Sequence, residues 1–312
     1  MIKTAMILSA GYGRRLLPLT RLRPKPMFQV LNKTMLEWWA EALVSAGVKR
    51  AVVNVHHQAD RMLEHIRNLA ESFSGLLEII PSPEEGLLGT GGGLKRAETL
   101  LGKNDFLVVN ADIFPDFDLV KLALKHLANP GRLATLGLLA GREPARVSLG
   151  QYGRVVAFRA PGPVPEEIGR QLYSGVMALS PAIFDLIKEG ESDIIEVFSR
   201  LMPEGREIFG WTYDPAIWRD MGEIEDYWRL NRDLASGRTI IHSTAKIDGL
   251  LTGWNVVGAE AVVEKEAAAE NCVLWPGASL ARGATALNAV IAGPVPAGAR
   301  VSGGVFCVQP EE

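Results

Sequence analysis

Met6-Ile-Leu-Ser-Ala10-Gly11-Tyr-Gly13-Arg-Arg15-Leu-Leu-Pro18-Leu-Thr20 leads, three residues further on, into Pro24-Lys25-Pro26. An apolar run ends in two glycines, two arginines follow at once, and a proline-flanked lysine closes the stretch. Such a run reads as a buried strand opening into a glycine turn. Backbone N–H groups can approach a phosphate there because no Cβ stands in the way. Arginine and lysine beside the turn put fixed positive charge where a polyphosphate would lie.

The rival readings of these glycines fail on particular residues. A dinucleotide fingerprint needs a third glycine where this chain has Leu16. A Walker loop needs Gly-Lys-Ser/Thr, which follows no glycine turn here. A plain strand-to-helix turn with solvated arginines would explain two glycines, but not Arg15, Pro18, Thr20 and Lys25 in register. The whole pattern resembles the signature of the sugar-1-phosphate nucleotidyltransferases, G-x-G-x-R-L-x-P-L-T followed by P-K.

Composition narrows the partners. The 312 residues suit one large domain with a smaller one, and 47% apolar with 22% charged residues is ordinary for a globular chain. A net charge of -3 offers no basic surplus for nucleic acid, so a nucleotide is the expected phosphate partner. Cys272 and Cys307 cannot make a disulfide framework and are expected to be reduced, buried thiols of a cytoplasmic protein. The N-terminal run is too short for a signal peptide, and no segment approaches membrane-spanning length.

In the first half, β-branched runs alternate with amphipathic stretches. Strands are expected at Ala5–Leu8, Ala51–Val55, Leu76–Ile80 and Phe106–Val109, and helices at Thr34–Ala46, Ala59–Ser72 and Gly92–Leu101. This alternation predicts a doubly wound α/β sheet with parallel strands, whose ligands bind outside the strands' carboxyl ends. The glycine turn and Asn110-Ala-Asp112 would both lie at that edge. Further strands are expected at Leu133–Leu138, Val155–Arg159, Leu172–Leu179 and Glu207–Tyr213. Helices are expected near Pro181–Ile187, Asp193–Met202 and Glu223–Leu234. The Gly-, Pro- and Arg-rich stretch Ala140–Pro165 reads as a lid or sugar-side insertion.

After about Arg238 small or apolar residues recur every six positions: Ala245, Leu251, Val257, Val263, Ala269, then Ala281 and Leu287. A second row is Ala261, Ala267, Val273, Ser279, Thr285, Ile291 and Ala297. Period six marks a hexapeptide solenoid, interrupted at Gly253-Trp-Asn and Trp275-Pro-Gly. The segment resembles the left-handed parallel β-helix tails of many nucleotidyltransferases. The expected division is a catalytic domain over 1–238 and a β-helix over 239–312. Trp254 and Trp275 are expected to cover apolar surface, and a chain cut near Arg238 is expected to keep a folded catalytic domain.

Asp112 ends a buried strand, where a carboxylate is costly unless it is paired or binds a cation. The alternative, capping the next helix, is better filled by Asp116 or Asp118. Trp218-Arg-Asp220-Met-Gly222-Glu223-Ile-Glu-Asp-Tyr227 resembles the family's W-x-D-x-G-T-x-E-x-Y. Glu223 stands in place of the threonine, so a helix-capping hydroxyl is lost. The resemblance implies that Asp112 and Asp220 hold Mg²⁺, and that Arg15 and Lys25 are catalytic. It also implies nucleotide contacts from Ala10, Gly11, Gly13, Gly89, Thr90 and Gly91.

The Thr90-Gly-Gly-Gly variant, with Asn54-Val-His56-His57 upstream, resembles N-acetylmuramate-1-phosphate uridylyltransferases and mannose-1-phosphate guanylyltransferases. The two histidines have no other ligand at metal spacing and read as loop or packing residues. Tyr173-Ser-Gly175 resembles the hexose-contacting segment, and Arg159 stands where the family has the lysine of its E-K-P triplet. The expectation is a GT-A-like, Rossmann-like mixed sheet followed by a short left-handed parallel β-helix. The expected activity converts an NTP and a hexose-1-phosphate to an NDP-sugar and pyrophosphate, in a homo-oligomer that engages neither nucleic acid nor membrane. The alternatives are a catalytically inactive regulator of the same fold, and a bifunctional enzyme with an acyltransferase β-helix for which only His242 could serve as base.

Overall fold

In the computed structural model, which describes residues 1–188, 190, 192–214 and 217–307, the apolar runs become parallel strands joined by helices. In chain order the strands up to residue 212 are β1 (Thr4–Leu8), β2 (Gln29–Val30), β3 (Lys33–Thr34), β4 (Arg50–Val55), β5 (Glu78–Pro83) and β6 (Phe106–Asn110). They continue with β7 (Ala134–Leu139), β8 (Val147–Leu149), β9 (Val155–Phe158), β10 (Gly169–Leu179) and β11 (Ile208–Thr212). The helices are α1 (Leu19–Leu22), α2 (Met35–Ser45), α3 (Ala59–Ser72), α4 (Gly89–Arg96), α5 (Glu98–Leu101), α6 (Leu119–Leu127), α7 (Ile183–Leu186), α8 (Ile194–Leu201) and α9 (Ile224–Ala235).

Packing divides the chain into two units. The first joins Met1–Gly11 to Glu37–Trp218; the second joins Tyr12–Leu36 to the chain from Arg219 onward. The expected boundary at 238/239 falls inside the second unit.

The first unit is built on a mixed sheet of order β11-β7-β10-β6-β1-β4-β5, with β8 paired to β10 and β9 to β8. β6, β1, β4 and β5 run parallel, and β10 runs antiparallel between β6 and β7. From β1 the chain winds first toward β4 and β5, then returns to place β6 on the other side. The carboxyl ends of β1 and β6 therefore form a topological switch point, where ligands of such sheets bind. Met6, Val52, Phe106, Val108, Leu136, Met177 and Phe198 belong to the core, all at or near complete burial.

Several elements depart from the sequence reading. The helix expected at Gly92–Leu101 begins three residues earlier, in the glycine cluster, and breaks into α4 and α5. Leu76 lies in a turn closed by its N–H to Phe73 O, so β5 starts two residues later than expected. The supposed lid over Ala140–Pro165 contains β8 and β9, an antiparallel pair joined to the main sheet through β10. Helix α6 was given no bounds in the sequence reading, but Asp118, one of the two caps expected for the helix after Asp112, does cap it, accepting from Lys121 N at 2.9 Å.

In the second unit, successive turns of chain stack as parallel strands. Lys246 pairs with Val262, Val262 with Ser279, and Ser279 with Pro294, steps of 16, 17 and 15 residues. A second ladder runs Leu250, Ala268, Thr285, Arg300. Because most turns are shorter than 18 residues, the six-residue rows slip. Val257, Val263 and Ala269 are buried as expected, but Leu280 and Ala286 replace Ala281 and Leu287 in the core. Ser279 and Thr285 of the second row are only half-buried.

Helix α9 belongs to this stack. Trp228 Nε1 donates to Asn271 O at 2.9 Å, and its ring packs on Trp254 at 5.1 Å. The helix-capping hydroxyl missing at Glu223 is made good from the other side. Asp226 accepts from Glu223 N at 3.2 Å, forming a capping box. Cys272 is buried, and burial pushes its thiol up to about 11; Cys307 is half-exposed rather than buried.

One buried histidine gives the first unit an acid limit. His126 is 2% exposed and its Nδ1 lies 3.0 Å from Thr135 Oγ1. Burial lowers its pKa, opposed by Asp105 and assisted by Arg132. The unfolded chain then binds a proton that the folded chain resists, so this stability is present above about pH 6.5 and lost as pH falls through the depressed folded value. Denaturant midpoints measured from pH 7.5 to 5 should fall, and His126→Gln should flatten that slope.

Candidate active site

The switch point is pinned by a buried polar network. The Asn54 side chain, at the end of β4, accepts from Ser9 N at 2.6 Å and donates to Glu84 Oε1 at 2.8 Å. Ser9 Oγ donates to Asn54 O, and Glu84 Oε2 accepts from Leu88 N at 3.1 Å. Asn54 and Glu84 are 3% and 6% exposed, so these bonds are shielded from water and costly to leave unmade. The network ties the start of the glycine turn to the start of α4. His56 joins it through Nδ1, 3.1 Å from Glu84 O, which is a packing role. At the same edge Ala111 N donates to Leu8 O at 3.0 Å, so the turn carrying half-buried Asp112 starts beside the end of β1.

A cavity of about 380 Å³ opens at this edge, lined by Leu8, Gly89, Thr90, Asn110, Arg159 and Tyr173 among others. The structure thus brings together Gly89 and Thr90, expected at the nucleotide, with Arg159 and Tyr173, expected at the sugar. Gly175 shapes the wall. Its φ of +87° sits where the β10–β7 register shifts, and a Cβ there would meet Ile113 Cγ1 at 2.8 Å. That irregularity carries Tyr173 to the cavity, with its hydroxyl buried and lacking a hydrogen-bond partner among the described residues. Burial raises the Tyr173 pKa, so the group is a neutral phenol at any working pH.

Arg159 and Thr90 of the cavity, and Gly91 beside it, are engaged internally. Arg159 Nη1 donates to Asp193 Oδ2 at 3.0 Å, and Gly91 N donates to Ser192 O at 2.7 Å. Thr90 Oγ1 accepts from Ile194 N at 2.9 Å, holding the start of α8.

In the second unit the signature loop folds on itself. Gly13 has φ +60°, and a Cβ there would strike Thr20 Cγ2 at 2.8 Å, while Thr20 Oγ1 donates to Gly13 O at 3.3 Å. Gly13 and Thr20 are therefore a structural pair. Lys25 begins a single 3-10 turn, Lys25–Met27, between two prolines, and is only 9% exposed. Its Nζ lies 3.8 Å from Asp220 Oδ1. Arg15 is exposed, and its guanidinium lies flat against Gly222, where a Cβ would be 2.9 Å from Nη1. The loop so gathers Arg15, Lys25 and Asp220 within one packing unit, with Asp112 in the other. Sequence reasoning quoted Asn54 and Asn110 within longer stretches without giving either a role, and assigned none to Glu84. It quoted Gly222 but gave it no role.

Comparison with known proteins places this arrangement. The nucleotidyl transferase family model matches residues 4–237. A probable mannose-1-phosphate guanylyltransferase of rice (Oryza sativa subsp. japonica) is 30% identical over 89% of this chain and 76% of its own length. The mannose-1-phosphate guanyltransferase of Candida albicans is 31% identical over 71% of the chain and 62% of its own length. The chain thus spans about three-fifths to three-quarters of these relatives. Among solved structures, a UDP-glucose pyrophosphorylase complexed with UDP-glucose superposes with a TM-score of 0.62 at 19% identity, over 76% of this chain and all of that one. The fold is that of these nucleotidyltransferases. The chain belongs to the sugar-1-phosphate nucleotidyltransferase family.

The Gly222–Arg15 contact gives a direct test. Gly222 has no left-handed φ, so alanine is conformationally acceptable and only the mobile guanidinium must give way. With Arg15 in the catalytic role that the motif implies, Gly222→Ala should keep thermal stability within a few degrees yet lower turnover about ten- to a hundredfold, since small displacements of a positioned group are costly. Paired melting curves and pyrophosphate release would check it.

Proposed function

We propose that this chain joins a hexose-1-phosphate to the α-phosphorus of an NTP, releasing pyrophosphate and yielding an NDP-sugar. The observation that carries the reading is Lys25, an ammonium buried in the signature loop 3.8 Å from Asp220. A protein seldom buries such a charge without a use for it. One sugar-phosphate oxygen forms the new P–O bond, and the Pα–O–Pβ bond breaks, its electron pair leaving with pyrophosphate. The nucleophile is already an anion, so no general base and no covalent enzyme intermediate are needed.

Catalysis is then positioning and charge neutralisation. Arg15 and Lys25 balance charge on the phosphates, with Lys25 also orienting the nucleophile. Ala10, Gly11, Gly13, Gly89, Thr90 and Gly91 serve the nucleotide. For Gly11 the support is open space around the position a Cβ would take, so internal packing does not require a glycine. Tyr173, Gly175 and Arg159 serve the sugar; the partnerless Tyr173 hydroxyl at the cavity supports this, as a donor awaiting a ligand oxygen.

The half-buried carboxylates of Asp112 and Asp220 are oxygen donors of the kind that Mg²⁺ takes in ones and twos. They would hold Mg²⁺, which when bound would supply Lewis-acid stabilisation of the phosphate charge.

The relatives' names make mannose-1-phosphate with GTP the first pair to try. The six-residue rows support a left-handed sense for the coil, and the tendency of solenoid ends to serve as subunit contacts supports a homo-oligomer. No helix among the described residues is long and apolar enough to cross a membrane. Retention of Arg15, Lys25, Asp112 and Asp220 favours an enzyme over an inactive regulator. His242 is tied to Thr244 Oγ1 at 2.9 Å, which disfavours an acyltransferase base.

Four NTPs assayed against several sugar-1-phosphates by pyrophosphate release test the activity; no release with any pair would refute it. Asp112→Asn should retain the fold by circular dichroism and lose turnover by several kcal/mol of transition-state energy. A variant within a few-fold of wild type would remove Asp112 from the site. Lys25→Ala and Arg15→Ala should each lower kcat more than they raise the NTP KM, because both act on charge present chiefly during transfer.

A further inference from the structure

Trp275 lies in the coil, 250 residues beyond Lys25 in sequence, yet it touches the signature loop on both sides of that lysine. Arg23 Cζ stands 4.6 Å from the centroid of the Trp275 ring. Phe28 meets the same ring edge-on at 4.9 Å. Between these two contacts lie Pro24, Lys25, Pro26 and Met27, closed by Met27 N to Pro24 O at 2.9 Å and Phe28 N to Lys25 O at 3.0 Å. A rigid turn gripped at each end leaves the Lys25 backbone little freedom.

The grip is itself held. Trp275 Nε1 donates to Tyr227 Oη at 3.0 Å, and Tyr227 Oη donates to Gln29 O at 2.7 Å. Both aromatic side chains are buried, Tyr227 completely, and Phe28 meets the Tyr227 ring at 5.4 Å. Farther along the loop, Leu31 N donates to Asn231 Oδ1 at 3.1 Å and Asn32 Nδ2 to Val257 O at 3.0 Å. Such aromatic pairs and a partly desolvated cation–π contact each contribute beyond their buried area. The coil thus supplies a wall for the loop, and Trp275 is the point at which that wall meets the residues flanking Lys25.

We infer that Trp275 is a positioning residue for the transfer step: it fixes the Arg23–Phe28 turn so that Lys25 is set for the reacting phosphates. The inference rests on the role of Lys25 proposed above. It also bears on the expectation that a chain cut near Arg238 would keep a folded catalytic domain, because the cut removes Trp275 and uncovers Phe28 and Tyr227.

The test compares kcat and NTP KM, per folded molecule of the full chain, for Trp275→Ala, Trp275→Phe, Leu280→Ala and Lys25→Ala. Leu280 is buried in the coil core, so its truncation weakens the coil in a way any structural role would also feel. Trp275→Ala is expected to lower kcat at least tenfold with KM within threefold. Leu280→Ala should keep kcat within twofold. Trp275→Phe retains a ring for Arg23 and Phe28 and should recover kcat to within threefold of wild type.

Equal kcat losses in Trp275→Ala and Leu280→Ala, or an unchanged kcat in Trp275→Ala, would overturn the inference. Should Trp275→Ala fail to fold, Arg23→Gln takes its place, with a kcat loss at unchanged KM expected and an unchanged kcat overturning. Lys25→Ala separates the two ideas. A near-normal Lys25→Ala refutes the role of Lys25, whereas a crippled Lys25→Ala beside a normal Trp275→Ala refutes only the grip.

Discussion

Holding an ammonium group out of water is the constraint on which the loop of the second unit depends. Lys25 is only 9% exposed, and removing a charge from water costs several kcal/mol unless an anion and a fixed geometry offset it. Asp220 supplies the anion at 3.8 Å, and two prolines with a 3-10 turn supply the geometry. A flexible loop could not do so, because each mobile residue would have to be ordered at about 1–2 kcal/mol apiece. The aromatic cluster of Phe28, Tyr227 and Trp275 contributes that order in advance.

The first unit meets a different demand, that of bringing chain ends to one edge of a sheet. Parallel strands do this by topology, since every crossover returns the next carboxyl end to the same side. Topology alone leaves the loops loose. The Ser9–Asn54–Glu84–Leu88 network closes that gap, linking the end of β1, the end of β4 and the start of α4 through buried bonds. Gly93 allows the network its room; a Cβ there would stand 2.8 Å from Glu84 Oε1. A glycine that reads in sequence as part of a nucleotide loop thus also serves internal packing.

The sequence by itself determined the class of fold and the family, and it named the candidate residues of the site. Gly11, Gly13, Arg15, Thr20 and Lys25 were legible because their spacing is local: one strand end, one turn and one proline-flanked lysine. Repeated small residues announced the coil for the same reason, each turn being nearly the length of the last. Where turn length departed from 18, the fixed period misassigned Ala281 and Leu287, because stacking obeys the ladder of backbone hydrogen bonds and not the count of residues. The tertiary structure alone decided which distant side chains share a neighbourhood. Asn54 and Glu84 became a clasp, Gly222 became the bed of Arg15, and the tryptophan at 275 came to rest on Arg23 and Phe28. None of these has a local signal, because burial and contact between residues far apart in the chain arise only once the chain has packed.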